Sequence, residues 1–334
     1  MYITIGNLPS TKRNKPGSMA VLLLALLPVP PKLPQSSSTH NVQREVNADT
    51  LQGVFDLIFA PLQDAALEGV LIDCADGRVR NCFPILAAWI TDHMENVALH
   101  GVKSNACPRC EISPDMLGSH MQNGYPTRDY ARYGRLEQEI WDRSRESHAR
   151  DVRTTFDALG VKIGRNILYA MQRVSAPDLH KPDLLHTVYL ELFKHMMDWV
   201  QAFLKKHAWL QGFDDAWKAL PPYPGFFVPN KAYREVTQWQ GKEMRTLGRC
   251  LLGVLAVALR QPDSTQAQPF KRALACIRSL LDFSMIAQYR SHTHETIDYM
   301  QRYLDRFHAT KDVFLEFRVS KRTLAKIDDQ RREL

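Results

Sequence analysis

With 334 residues the chain can bury a substantial core and hold one large domain or two modest ones. Its 45% hydrophobic and 24% charged residues argue against wholesale disorder, and a formal charge of +7, from 43 Lys and Arg against 36 Asp and Glu, leans mildly toward polyanionic partners. Six cysteines scattered over this length do not make a secreted disulfide scaffold and fit a reducing, intracellular compartment.

In chain order, Tyr2 to Asn7 alternates apolar and polar residues as a strand does, and a basic turn, Lys12-Arg13-Asn14-Lys15, follows. Such a basic cluster can touch phosphates but is more often a solvated face. The apolar run Met19 to Leu27 imitates the core of a signal peptide. It is followed by Pro28-Val29-Pro30-Pro31 rather than a small-residue cleavage site, and it is too short to span a bilayer. No membrane segment is therefore expected, and Ala20 to Leu27 is read as a fully buried strand ended by prolines. Residues 28 to 42 are expected as an exposed loop. Leu51 to Leu67 has helical apolar spacing and stops at Gly69, so a helix packed on the sheet is expected there. Val70 to Ile72 reads as a short strand, Asp76-Gly77-Arg78 as a hairpin turn, and Phe83 to Ile90 as a longer apolar strand running into Thr91 and Asp92.

The character changes near residue 106. Beyond a polar Gly, Pro and Tyr stretch from Asp115 to Tyr133, and an Arg-rich stretch from Arg128 to Arg153 that could contact phosphates, nearly every long segment is helical in period. Leu185 to Lys206 carries Leu185, Val188, Leu192, Met196, Trp199 and Phe203 along one side, and Lys242 to Leu259, Pro269 to Tyr289, Thr293 to Phe307 and Ser320 to Leu334 follow. A loop with Pro221, Pro222, Pro224 and Pro229 interrupts the series. The expected fold class is α/β, with a strand-rich module over residues 1–105 and a large α-helical block over residues 106–334.

Two kinds of chemistry stand out. Cys107-Pro108-Arg109-Cys110 presents two thiols from one tight turn, the spacing with which thiolates grip a tetrahedral zinc ion. A pair of unliganded cysteines and a redox pair are the alternatives. Further zinc ligands are sought in Asp183-Leu184-Leu185-His186, which opens a helix after a proline, and more weakly in His180. Asp92, where an apolar strand meets a polar turn, is the candidate catalytic residue, because carboxylates at strand ends can hold the Mg²⁺ that activates a nucleophile for phosphoryl transfer. The plainer reading of Asp92 is a helix N-cap. Asp73 and Asp76 are competitors, the latter with ordinary turn chemistry.

Tyr2-Ile-Thr-Ile-Gly-Asn-Leu, Cys74-Ala-Asp-Gly with Arg80-Asn-Cys-Phe-Pro-Ile-Leu-Ala, Asp92, Cys107-Pro-Arg-Cys and Pro182-Asp-Leu-Leu-His-Thr-Val-Tyr-Leu together resemble the Plavaka-type transposases of mushroom-forming fungi. The resemblance continues through Tyr233-Arg-Glu-Val-Thr-Gln-Trp and Arg290-Ser-His-Thr-His-Glu-Thr, so it spans nearly the whole chain. It implies kinship with CACTA-type cut-and-paste transposases: an RNase H-like mixed sheet with a DDE triad, interrupted by a helical insertion that bears CxxC and DxxH motifs. By that resemblance Asp92 matches the second catalytic aspartate, Cys107 and Cys110 the CxxC, and Asp183 and His186 the DxxH. It further implies structural Zn, catalytic Mg²⁺ or Mn²⁺, double-stranded DNA at transposon ends as partner, homo-oligomers and a nuclear location. The family's first aspartate is expected on a strand ahead of Tyr2, and no aspartate occurs before Asp49. Its closing glutamate is expected beyond Leu334, with Glu243 and Glu295 as internal alternatives. The expectation is a transposase-derived chain that does not cut DNA by itself, with a non-enzymatic, zinc-supported DNA- or protein-binding module as the alternative.

Overall fold

The computed structural model describes residues 1–29, 37–121, 124–142, 146–171, 173–181, 183–224, 231–236, 238–258 and 267–317. It resolves into two compact units, Met1–Lys181 and Pro182–Leu334. The fold is mixed α/β and mostly helical. Its described strands form two separate two-stranded antiparallel sheets rather than one mixed sheet.

The first unit starts with β1 (Tyr2–Thr4), α1 (Ser10–Arg13) and β2 (Val21–Leu23), with Tyr2 opposite Leu23 and Thr4 opposite Val21. The expected buried strand over Ala20 to Leu27 is corrected in both length and environment: only Val21–Leu23 pair, and each is about half exposed. An apolar run shows that a strand can be covered, but among the described residues a single partner strand, β1, lies beside it. Helix α2 (Ser37–Glu68) is longer than the periodic segment that revealed it. It takes in part of the expected loop, while residues 30–36 lie outside the described residues. The helix ends as expected at Gly69, whose φ of 82° is left-handed backbone that glycine adopts without steric cost.

β3 (Val70–Asp73) and β4 (Val79–Cys82) form the expected hairpin around Asp76 and Gly77, and Asp76 accepts two hydrogen bonds from the Arg80 guanidinium at 2.8 and 2.6 Å. The long strand expected over Phe83 to Ile90 does not form. The tight turn commits the residues directly after it, Val79–Cys82, to the ladder, and Pro84 then brings no N–H to continue it. Beyond it Trp89 makes a lone parallel bridge to His180, with its N–H on the Leu179 carbonyl at 3.0 Å. Helices α3 (His93–His100), α4 (Tyr130–Asp142), α5 (Glu146–Ala158) and α6 (Ala176–Leu179) complete the unit.

The core of this unit gathers Phe55 and Phe59 of α2, Val97 and Leu99 of α3, Tyr130 and Tyr133 of α4, and Phe156 of α5. Trp89 meets Phe55 and Phe59 at ring distances of 5.3 and 5.5 Å. The buried Gln52 stitches the same elements together: its amide nitrogen donates to the Ala98 and Leu99 carbonyls, and its oxygen accepts from the Ile167 N–H at 3.1 Å.

In the second unit a π-helix, Leu184–Leu192, runs directly into α7 (Phe193–Lys206), followed by α8 (Leu210–Lys218), α9 (Gly241–Ala258), α10 (Ala267–Ile286) and α11 (His294–Thr310). The helices expected from periodicity are present, although Ser320 to Leu334 and Pro229 lie outside the described residues. Met196 and Phe203 of the expected stripe are buried beside Phe193, Trp217, Leu247 and Leu280, and Val188 is buried as well. Leu185 stays 44% exposed, because the wider π-turn takes it off the α-helical register on which the stripe was drawn. Among the described residues no helix is long and apolar enough to cross a membrane.

Two neighbours on α2 test this burial. Phe55→Ala should cost about 3 to 5 kcal/mol by emptying the contact with Trp89. Leu57→Ala, at a side chain 80% exposed, should stay within about 0.5 kcal/mol. Equal shifts in denaturant midpoint for the two would show that α2 does not bury this face.

Candidate catalytic and metal-binding residues

Asp92 lies where the irregular chain after Trp89 enters α3. Its backbone is extended (φ −71°, ψ 174°), and one carboxylate oxygen accepts from the Glu95 N–H at 2.8 Å. It is therefore the N-cap of α3. The Asn96 amide donates to the Asp92 and Thr91 carbonyls, which fixes the entry further. The strand that was expected to deliver Asp92 is absent, so the residue stands at a helix entrance rather than at a sheet edge. Of its competitors, Asp76 is held by Arg80, whose guanidinium keeps that carboxyl below its ordinary range, and Asp73 pairs with Val79 in the hairpin.

Cys107 and Cys110 occupy a tight turn, both half-buried and both free. The Arg109 N–H points at the Cys107 sulfur at 3.4 Å. Burial and the neighbouring Cys107 thiol raise the Cys110 pKa, and the Ile112 backbone opposes them. The turn is fastened from behind by Arg128. This guanidinium is 3% exposed; its Nε donates to the Cys107 carbonyl at 2.5 Å, and Nη1 donates to the Leu159 carbonyl at 2.8 Å and to the Tyr133 hydroxyl at 3.3 Å. The Tyr133 hydroxyl donates in turn to Glu111 at 2.7 Å, and Tyr130 donates to the Pro108 carbonyl at 2.8 Å. Cys110 also bridges Thr127 in a short antiparallel pairing. Arg128, which the sequence offered for phosphate contact, is thus a structural clamp on the CxxC turn. Its position just ahead of the α4 cap, where the Asp129 carboxylate accepts from the Arg132 N–H, was the available but ambiguous signal.

His180 comes near the same turn through its neighbours: Arg109 pairs with Asp178 at 3.2 Å, and the Arg109 charge is felt at His180. Its Nδ1 is buried without a hydrogen-bond partner. Burial, with positive charge on His100, His93, Arg109 and Lys181, pushes its pKa down to about 4. His100, fully buried in α3, faces the Asn96 and Ala176 carbonyls with its two ring nitrogens at 2.8 and 3.0 Å. Burial lowers its pKa despite them.

In the second unit Asp183 caps the π-helix by accepting from the His186 N–H at 2.6 Å, and both of its oxygens lie 3.2 to 3.3 Å from His186 Nδ1. A carboxylate on Nδ1 directs the imidazole so that Nε2 is the free donor atom, the arrangement second-sphere carboxylates give to metal-binding histidines. The CxxC and DxxH pairs belong to different units. Among the described residues no group of three or more His, Cys, Asp or Glu gathers as a metal site.

A model of the Plavaka transposase family matches residues 1–200. That span is more than half of the chain and contains Asp92, both cysteines and the DxxH pair; the chain belongs to the Plavaka transposase family and is transposase-derived. Membership implies a divalent metal and points to DNA as a partner. No curated protein and no solved structure matches the chain.

Removing the clamp should loosen the turn and its surroundings together. Arg128→Ala leaves buried carbonyls without donors and should cost about 3 to 5 kcal/mol by chemical denaturation. Arg128→Lys should recover only part, because an ammonium cannot reach all three acceptors at once. A lysine variant as stable as the parent would show that the fork geometry does not matter.

The histidines set the pH dependence. An unfolded histidine binds its proton near 6.5, whereas folded His180 resists until about 4, so stability is full above pH 6.5 and drains away as pH falls from 6.5 toward 4. Melting temperatures across that window should fall, and His180→Gln should flatten the curve. A profile unchanged by His180→Gln would assign the loss to other groups.

Proposed function

We propose that this transposase-derived chain engages double-stranded DNA without cutting it. The family reaction would be Mg²⁺- or Mn²⁺-dependent strand cleavage and transfer on an RNase H-like, DDE-type core, with Asp92 as its carboxylate. The observation that carries the non-cutting reading is the state of Asp92: one oxygen is spent on the α3 cap, and no three acidic or imidazole groups stand together among the described residues. Two-metal phosphoryl transfer needs several converging carboxylates, so these residues do not fit the metal pair and no step is assigned to it.

Zinc is the second part of the proposal. Cys107 and Cys110 would supply two thiolates from a turn held by Arg128 and Tyr130. In its own unit Asp183 would orient the His186 ring so that Nε2 is the atom offered to an ion. On this reading Asp183 positions the histidine and need not itself bind the ion. A nuclear location and homo-oligomers are part of the same family-based proposal.

Duplex binding measured by fluorescence anisotropy over rising salt, beside a strand-transfer assay in Mg²⁺ or Mn²⁺, tests the main reading. Salt-dependent binding with no cleaved product is expected. No binding at low salt overturns the DNA reading, and product that disappears in Asp92→Asn overturns the non-cutting one. Zinc content of the same protein should drop in Cys107→Ser, and unchanged zinc in His186→Ala would remove that histidine from the set.

A further inference from the structure

The basic residues of this chain are not equally available to a polyanion. In the first unit Arg128 is buried, Arg109 pairs with Asp178, Arg135 with Asp129, and Arg165 with Asp56. In the second unit Arg234, Arg272 and Arg278 are likewise matched, to Asp214, Asp312 and Asp282. Helix α9 differs. Lys242, Arg245 and Arg249 fall at i, i+3 and i+7, within one narrow stripe, and all three are exposed. Among the described residues none of them has an ion pair. The acidic residue of α9, Glu243, is turned back to accept from the Gln240 N–H at 2.8 Å.

Tyr189 joins this stripe to a second element. The charges of Arg245 and Arg249 act on the buried Tyr189 ring, and its hydroxyl accepts from Gln288 at 2.9 Å. Gln288 begins the connection from α10 to α11, where Tyr289 is 55% exposed and stacks on His292 at 6.2 Å and 15°. Arg290 between them is exposed, and no acidic residue interrupts the chain from Phe283 to His294.

Resting on the DNA-binding reading above, we propose that Lys242, Arg245 and Arg249 of α9, with Tyr289, Arg290 and His292, form a surface that binds the sugar–phosphate backbone of duplex DNA. The three α9 charges span about 10 Å along a rigid helix, comparable to a few nucleotides at about 3.4 Å of rise each. Arginine forks suit phosphate oxygens, and the stacked rings offer a flat, polar-edged face beside them. An amphipathic protein segment would need an apolar anchor. The large exposed apolar side chain of α9, Val257, lies about two turns beyond Arg249. The contacts go to the backbone, so recognition here is independent of sequence.

The test uses the full chain and anisotropy on a labelled duplex at several salt concentrations, with folding checked by circular dichroism. Arg245→Glu with Arg249→Glu should weaken binding at least tenfold and reduce the salt slope by about 1.8, from about 0.9 per lost phosphate contact. Arg302→Glu with Arg306→Glu, the same charge change at exposed positions of α11, should leave the slope near the parent value. If the parent binds no DNA, the DNA-binding reading falls and takes this surface with it. A parent that binds, with an α9 variant of unchanged affinity and slope, overturns the surface alone. Equal loss in the α11 variant reduces the effect to net charge and overturns it too. Displacement of DNA by polyglutamate as effectively as by unlabelled duplex would reassign the surface to acidic proteins.

Discussion

A guanidinium cannot shed its charge inside a protein, so a buried arginine must find acceptors for its donors. Arg128 meets this demand with two backbone carbonyls and a tyrosine hydroxyl, drawn from the CxxC turn, the end of α5 and the first turns of α4. Three segments distant in sequence are thereby held to one point. The hydrogen bond from Tyr133 to Glu111 brings a carboxylate into the same network, so the buried positive charge has a counter-charge one hydroxyl away. The two thiols inherit their placement from this clamp, because Arg128 and Tyr130 fix the backbone that carries them.

Paired and unpaired basic residues occur in both units. Arg128 is a buried fastener, and Lys103, Arg109 and Arg165 in the first unit and Arg234, Arg272 and Arg278 in the second are matched to carboxylates. The basic residues of α9 are exposed with no ion pair among the described residues, although the sequence had drawn attention to the stretch from Arg128 to Arg153 instead. Density of arginine along a chain does not say which guanidiniums reach the surface. That depends on the polar groups that happen to surround each one.

Local chemistry was legible and environment was not. Asp76-Gly77 announced its hairpin, and Gly69 the end of α2, because turn and cap preferences are decided within a few residues. The helices of the second unit followed from their apolar period, and the CxxC and DxxH pairs from side-chain identity. The burial of Val21–Leu23 was misread because a continuous apolar run cannot report how many strands lie alongside. Phe83 to Ile90 was misread because an early turn and Pro84 outweigh a run of apolar side chains. At Asp92 both readings were visible in the sequence, and its hydrogen bond to Glu95 makes it a cap. The Asp183–His186 contact is that of a cap residue with the third residue of its helix, a spacing that the Asp-Leu-Leu-His order already offered.

The π-helix that opens the second unit stores slack. Each π-turn holds more residues than the α-turn it replaces, so Leu184–Leu192 is wound with surplus chain between a capped end and a buried one. Loss of a single residue between His186 and Phe193 would let the segment relax toward α spacing, and the tighter winding would take up most of the change before it reached the packed face of Tyr189 and Phe193.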